Sequence, residues 1–207
     1  RLVQTYRKLQ LVPFTEHFPY RRWLPGIYQW LRNADTHFWE KGSEPTVFAA
    51  GGVRFSTPIC FEDTFPGLAR WFIRSGAELL INMTNDSWSK SVSCEMQHMS
   101  IALFRAVENR RTMLRAANGG ITCVIDPNGR IRAQLAPFTE AFLIAEAPVF
   151  TGEATLYTRW GDWFAVLALL ASGLALAGGL VRRLRGRRAV RENGGCDEAQ
   201  GQNPHRR

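Results

Sequence analysis

"STPICFEDTFPGLAR" (residues 56–70) places a cysteine, Cys60, at the end of an apolar run, with a glutamate two residues later and a chain-breaking proline soon after. The segment that contains its start, "TVFAAGGVRFSTPICFE" (46–62), reads as two strands joined at Gly51 and Gly52, a hairpin signal. Downstream, "FPGLARWFIRSGA" (65–77) reads as an amphipathic helix with Leu68, Phe72 and Ile73 on one face and Gly76 at its C-cap. "ELLINMTND" (78–86) is an apolar strand ending in a polar cluster. "SCEMQHMSIALFRAVENRRTML" (93–114) is a long helix with Met99, Leu103, Ala106 and Val107 on its stripe. "GGITCVIDPNGRIRAQL" (119–135) reads as strand, turn, strand, with Pro127 second and Gly129 fourth in a type I turn. Strand, helix, strand, helix and hairpin in this order predict an α/β layered fold.

The 207 residues suit one domain of ordinary size, and 45% hydrophobic content is that of a globular protein. The charge is uneven. Residues 182–207 hold eight arginines against Glu192, Asp197 and Glu198, so +5 of the formal +8 lies there. No basic face with interleaved stacking aromatics remains for nucleic acid, which is excluded as a partner. Cys60, Cys94, Cys123 and Cys196 form no C-x-x-C pair, and the four histidines sit at no metal-like spacing to them. The chain opens on "RLVQTYRKLQLVPF", without an initiator Met or a signal-peptide pattern, and so reads as starting inside a domain of a longer protein.

"WFAVLALLASGLALAGGLV" (163–181) is 19 residues without a charge. At the rise of an α-helix it spans about 28 Å, enough for a bilayer core. Trp160 and Trp163 mark one interface and "RRLRGRR" (182–188) the cytoplasmic side. A buried core helix is the alternative. The expected organisation is a catalytic region over 1–160, a transmembrane helix over 161–181 and a basic tail over 182–207. That tail is cytoplasmic and, being polar and glycine-rich, disordered. "RRWLPGIYQWLR" (21–32) holds a short helix that either dips into lipid or packs on the surface.

Reactive groups in α/β layers gather where strands end and helices begin, which is where Cys60 lies. A thiolate nucleophile needs an electrostatic partner, and the ammonium of Lys8, on another extended segment, is a candidate that would also stabilise an oxyanion. By composition alone, a lone cysteine at a strand end is more often an inert core residue.

Five ordered blocks narrow this: "YRKLQLVPFTEHFP", "PICFEDTFPGLAR", "GAELLINMTNDSW", "QHMSIALFRAVENRR" and "RAANGGITCVIDPNGRI". Together they resemble the apolipoprotein N-acyltransferases, bacterial membrane enzymes of the nitrilase (carbon–nitrogen hydrolase) superfamily. The resemblance runs from Tyr6 to Ile131, and the C-terminal span fits it. It implies the second half of a nitrilase-like αββα sandwich followed by one transmembrane helix, and a Glu–Lys–Cys triad of which Lys8 and Cys60 are the matching members. The general-base glutamate belongs to an earlier strand in the family. Glu16 and Glu62 match positions that line the active site and support the lysine and cysteine. Asn85, Asp86, Ser87 and Trp88 match a loop bordering the pocket, with a turn and N-cap as the bland alternative. The family pattern continues Phe-Gly where this chain has Ser89 and Lys90. His98, Arg105, Glu108 and Arg110 read as structural.

The resemblance implies acyl transfer from a phospholipid, through a Cys60 thioester, to the N-terminal amine of a diacylglyceryl-cysteine lipoprotein. No metal or cofactor is implied. The location would be the bacterial inner membrane, with the catalytic part on the periplasmic face. Two alternatives stay open. One is a membrane-tethered amidase or nitrilase acting on a small soluble substrate, against which "LVPFTE" and the Trp-flanked span count. The other is a catalytically dead scaffold, against which the intact Lys8 and Cys60 count.

Overall fold

The computed structural model describes residues 4–34 and 38–197. One compact unit runs to Gly161 and a second begins at Asp162. In the first, six strands form one sheet in chain order: β1 (Phe48–Ala50), β2 (Val53–Ser56), β3 (Leu79–Asn85), β4 (Thr112–Asn118), β5 (Cys123–Ile125) and β6 (Ile131–Gln134). The central β2, β3 and β4 are parallel, and the outer pairs are antiparallel. Helix α1 (Pro25–Asn33) precedes the sheet and buries none of its residues. Helix α2 (Pro66–Arg74) links β2 to β3, and α3 (Val92–Asn109) links β3 to β4. A short α4 (Leu156–Trp160) closes the unit, its Thr158 hydroxyl donating to Asn109 Oδ1 at 2.9 Å.

Leu68, Phe72 and Ile73 of α2 and Met99, Ala102 and Ala106 of α3 pack on Leu80, Met113 and Ile125 of the sheet. The β3–β4 register sets Leu80 beside Met113 and, two residues on, Asn82 beside Arg115. All four are buried. The helix-covered face therefore changes from apolar to polar toward the C-terminal ends of the parallel strands, where open α/β sheets bind ligands. The described residues of this unit supply one sheet and one helical layer of the expected sandwich.

Both hairpins form as read: Gly51 and Gly52 take φ of 57° and 78°, and Gly129 takes 80° with its N–H donating to the Asp126 carbonyl at 2.9 Å. Three expectations need correction. The long helix stops at Asn109, where Arg110 turns left-handed at φ 48° and the Arg110 and Arg111 N–H groups return to the last turn. Residues 112–114 instead open β4, because a seven-residue ladder to β3 satisfies their backbone and buries Met113. Val107 is 41% exposed, and the buried stripe runs through Ala102, Arg105 and Asn109. Strand β2 ends at Ser56 rather than at Cys60. Pro58 has no N–H to give a ladder; Ile59 bridges Met83, and Cys60 opens a 3-10 turn, Cys60–Thr64.

In the second unit, α5 (Trp163–Asp197) contains an apolar stretch, Trp163–Arg183, long enough to cross a membrane. None of its residues is buried. The helix continues to Asp197. The expectation for 198–207 lies outside the described residues.

Candidate active site

A cavity of about 1460 Å³ lies at the C-terminal ends of β3 and β4, with Met83, Ile101 and Phe142 on its apolar wall. It brings together Lys8, Glu16, Cys60, Asn85, Asp86 and Trp88. Glu62 and Ser87 do not line it.

Cys60 is half-buried at φ 52°, a conformation that costs a non-glycine residue of order 1–3 kcal/mol and persists only when its surroundings impose it. Those surroundings are visible. Asn82 donates to the Cys60 carbonyl at 3.0 Å, the Met83 N–H donates to the Pro58 carbonyl at 3.2 Å, and the Ile59 N–H donates to Glu62 at 2.7 Å. Sequence and tight turn thus present the sulfur at the cavity rather than in the core. Cys123, by contrast, is buried, and burial pushes its thiol up to about 11.

Lys8 is only 5% exposed. Its Nζ donates to both Glu16 oxygens, at 2.7 and 2.8 Å, and Glu16 also accepts the Val12 N–H at 2.9 Å. The carboxylate fixes the ammonium and closes the loop between them. Glu62 was expected to line the site and support the lysine and cysteine, and it lies behind the cavity rather than on its wall. Fully buried, it accepts from the N–H groups of Leu9, Gln10 and Ile59 and from the Tyr6 hydroxyl. It ties the Lys8 segment to the Cys60 turn from behind. Burial, and then the Glu62 charge, push the Tyr6 hydroxyl far above its ordinary value.

Asp63, His98 and Arg115 escaped the sequence reading as a group. Asp63, in the Cys60 turn, meets His98 Nε2 at 2.8 Å through Oδ1 and Arg115 Nη1 through Oδ2. Asp86 Oδ2 meets His98 Nδ1 at 3.1 Å and Arg115 Nη2 at 3.4 Å, closing a ring of four side chains. Burial disfavours the imidazolium, but its bonds to Asp63 and Asp86 outweigh this and raise His98 to about 9. Burial likewise disfavours the Asp86 charge, yet bonds from His98 and Thr84 and the nearby cations hold it below the usual range. An arginine inside an otherwise apolar strand, "TMLRAAN", is the signal that a buried acid waits opposite.

In the pocket loop, Ser87 turns back to Asn85 Oδ1 at 2.7 Å, as the turn reading anticipated. Trp88 is 73% exposed. Ser89 donates to buried Glu95, and Lys90 adopts φ 49° where the family pattern has glycine. Arg105 pairs with Glu108 one turn on at 2.6 Å and caps the Thr64 carbonyl at 3.1 Å, a structural use.

A family model for carbon–nitrogen hydrolases matches residues 1–155. The chain belongs to the carbon–nitrogen hydrolase family. Its mixed sheet with a helical layer is accordingly nitrilase-like. Among curated carbon–nitrogen hydrolase relatives, apolipoprotein N-acyltransferase 1 of Treponema pallidum (strain Nichols) is 49% identical over 186 residues, 89% of this chain and 34% of that protein. The protein of that name from Treponema denticola is 49% identical over 168 residues, 81% of this chain and 31% of its own. Apolipoprotein N-acyltransferase of Geobacter metallireducens is 40% identical over 170 residues, 82% and 32% respectively. The chain thus spans about a third of the length of the curated relatives it matches. A solved amidase of the nitrilase superfamily from Nesterenkonia AN1 aligns at 21% identity and TM-score 0.47, over 66% of this chain and 48% of its own.

Proposed function

We propose that this chain carries the lysine and the cysteine of a phospholipid-to-lipoprotein acyltransferase. The Cys60 thiolate attacks the carbonyl carbon of a phospholipid ester, forming a C–S bond and an oxyanion that the Lys8 ammonium stabilises. Collapse breaks the ester C–O bond, and the lysophospholipid leaves with a proton. The N-terminal amine of a diacylglyceryl-cysteine lipoprotein then attacks the thioester, giving an amide and returning the thiol. A glutamate carried outside these 207 residues serves as the proton acceptor and donor in both halves. The reaction belongs on the periplasmic face of the bacterial inner membrane, to which the span after Trp163 tethers the chain.

The observation that carries this reading is that Cys60 and a Lys8 clamped by Glu16 line one apolar-walled cavity. Its volume, about 1460 Å³, exceeds the roughly 300–1000 Å³ of ordinary small-molecule sites and suits an acyl chain. The names of the relatives agree. Incubating the full-length membrane protein with labelled phospholipid should give a hydroxylamine-sensitive acyl adduct on Cys60 by mass spectrometry, absent in Cys60→Ser. An adduct on another residue, or one that survives the substitution, refutes the mechanism. Family membership also supports a second reading, hydrolysis of a small soluble amide. Ammonia release from short amides, without transfer from phospholipid, would establish that reading in place of the first.

A further inference from the structure

The ring of Asp63, His98, Asp86 and Arg115 draws on four segments: the Cys60 turn, the β3–α3 loop, α3 and β4. Asp63 is three residues past Cys60 and is 1% exposed, so the turn cannot shift without moving this carboxylate against two fixed cations. We propose that His98 and Arg115 are positioning residues that hold the Cys60 thiol in register through Asp63, and that the ring does so only while His98 carries both ring protons. This rests on Cys60 being the nucleophile.

The chemistry of the ring requires the second proton. A neutral imidazole has one N–H for two carboxylates, so one of its two contacts would set a lone pair against an oxygen. The doubly protonated ring donates to both, and with the guanidinium it balances the two acids. The charged groups around His98 are Asp63 from the turn, Asp86 from the β3–α3 loop and Arg115 from β4. On its own helix, Glu95 Oε2 borders, with Asp86 Oδ2, the space that a Cβ on Gly120 would fill. The thiols of Cys60 and Cys94 face the same cavity as His98. His98 is raised to about 9, so the ring is intact at neutral pH and opens as pH climbs through that value.

The test is the rate of acyl-adduct formation on Cys60 in the full-length protein, followed by mass spectrometry with a labelled phosphatidylethanolamine from pH 7 to about pH 10. His98→Gln should slow the reaction about 100-fold at neutral pH, the scale of an ångström's misplacement of a reacting group. The half-saturating lipid concentration should move less than about twofold. His98→Lys, which stays charged to about pH 10, should recover most of the rate and keep it above pH 9, where the wild type declines. A His98→Gln rate equal to wild type overturns the proposal. So does a His98→Lys protein that declines at the same pH as wild type, and that result decides the matter if His98→Gln fails to fold. Wild-type protein acylated elsewhere than Cys60 overturns the nucleophile assignment and this inference together. Acylation on Cys60 at a rate insensitive to His98 overturns only the latter.

Discussion

Glu62 shows how far a side chain's place in the fold can depart from what its place in the sequence suggests. "ICFE" puts it two residues from Cys60, which suggests a cavity-lining acid. The side chain instead goes under the turn, where four donors converge on it from Tyr6, Leu9, Gln10 and Ile59. In Glu62→Gln one oxygen becomes an NH₂ that faces donors, so at least one buried N–H loses its acceptor. A loss of about 2–4 kcal/mol is expected. At about 2–4 °C per kcal/mol for a protein of this size, thermal unfolding of the purified protein should begin several degrees lower. Unchanged melting with lost activity would put Glu62 back among the cavity groups. Cys60 and Lys8, the proposed nucleophile and its cation, were legible as candidates because local words carry them. The ring was not, because its four members are brought together only by the β3–β4 register and the packing of α3.

At the scale of elements, local chemistry was decisive where glycine or proline set the geometry. Both hairpins and the start of α2 at Pro66 follow from such residues. It failed where tertiary pairing competed with periodicity. "TML" (112–114) continues a helical pattern, yet β3 offers it a full ladder. The β3–α3 loop carries a testable case of mismatch. Lys90 sits at φ 49°, which an L side chain occupies at a cost of roughly 1–2 kcal/mol. Lys90→Gly removes that cost and adds the roughly 0.5–1 kcal/mol of backbone entropy that glycine loses on folding. The balance is a gain of about 0.5–1 kcal/mol, read as a rise of about 1–4 °C in melting temperature. The bond from Ser89 to Glu95 uses the neighbouring side chain and stays in place. A lower melting temperature would mean that the Lys90 side chain itself holds the loop.

Over the whole chain, the strongest asymmetry is of charge. Residues 182–207 hold eight arginines directly after a stretch that is apolar, unburied and long enough for a bilayer. Short basic segments beside a span stay in the cytoplasm, and the rule concerns cations close to the membrane, not net charge. Arg182, Arg183, Arg185, Arg187 and Arg188 all lie within a few residues of the span. A green fluorescent protein fused after Arg207 of the full-length protein should therefore fluoresce, and alkaline phosphatase at the same place should stay inactive. Changing those five arginines to glutamine should raise phosphatase activity as a fraction of molecules inverts, while the span itself, having lost no apolar residue, still inserts. High phosphatase activity with the native arginines would set the C-terminus outside the cytoplasm. It would also remove the ground for placing the Cys60 cavity on the periplasmic face, because that placement depends on one crossing of the bilayer between Trp163 and Arg183.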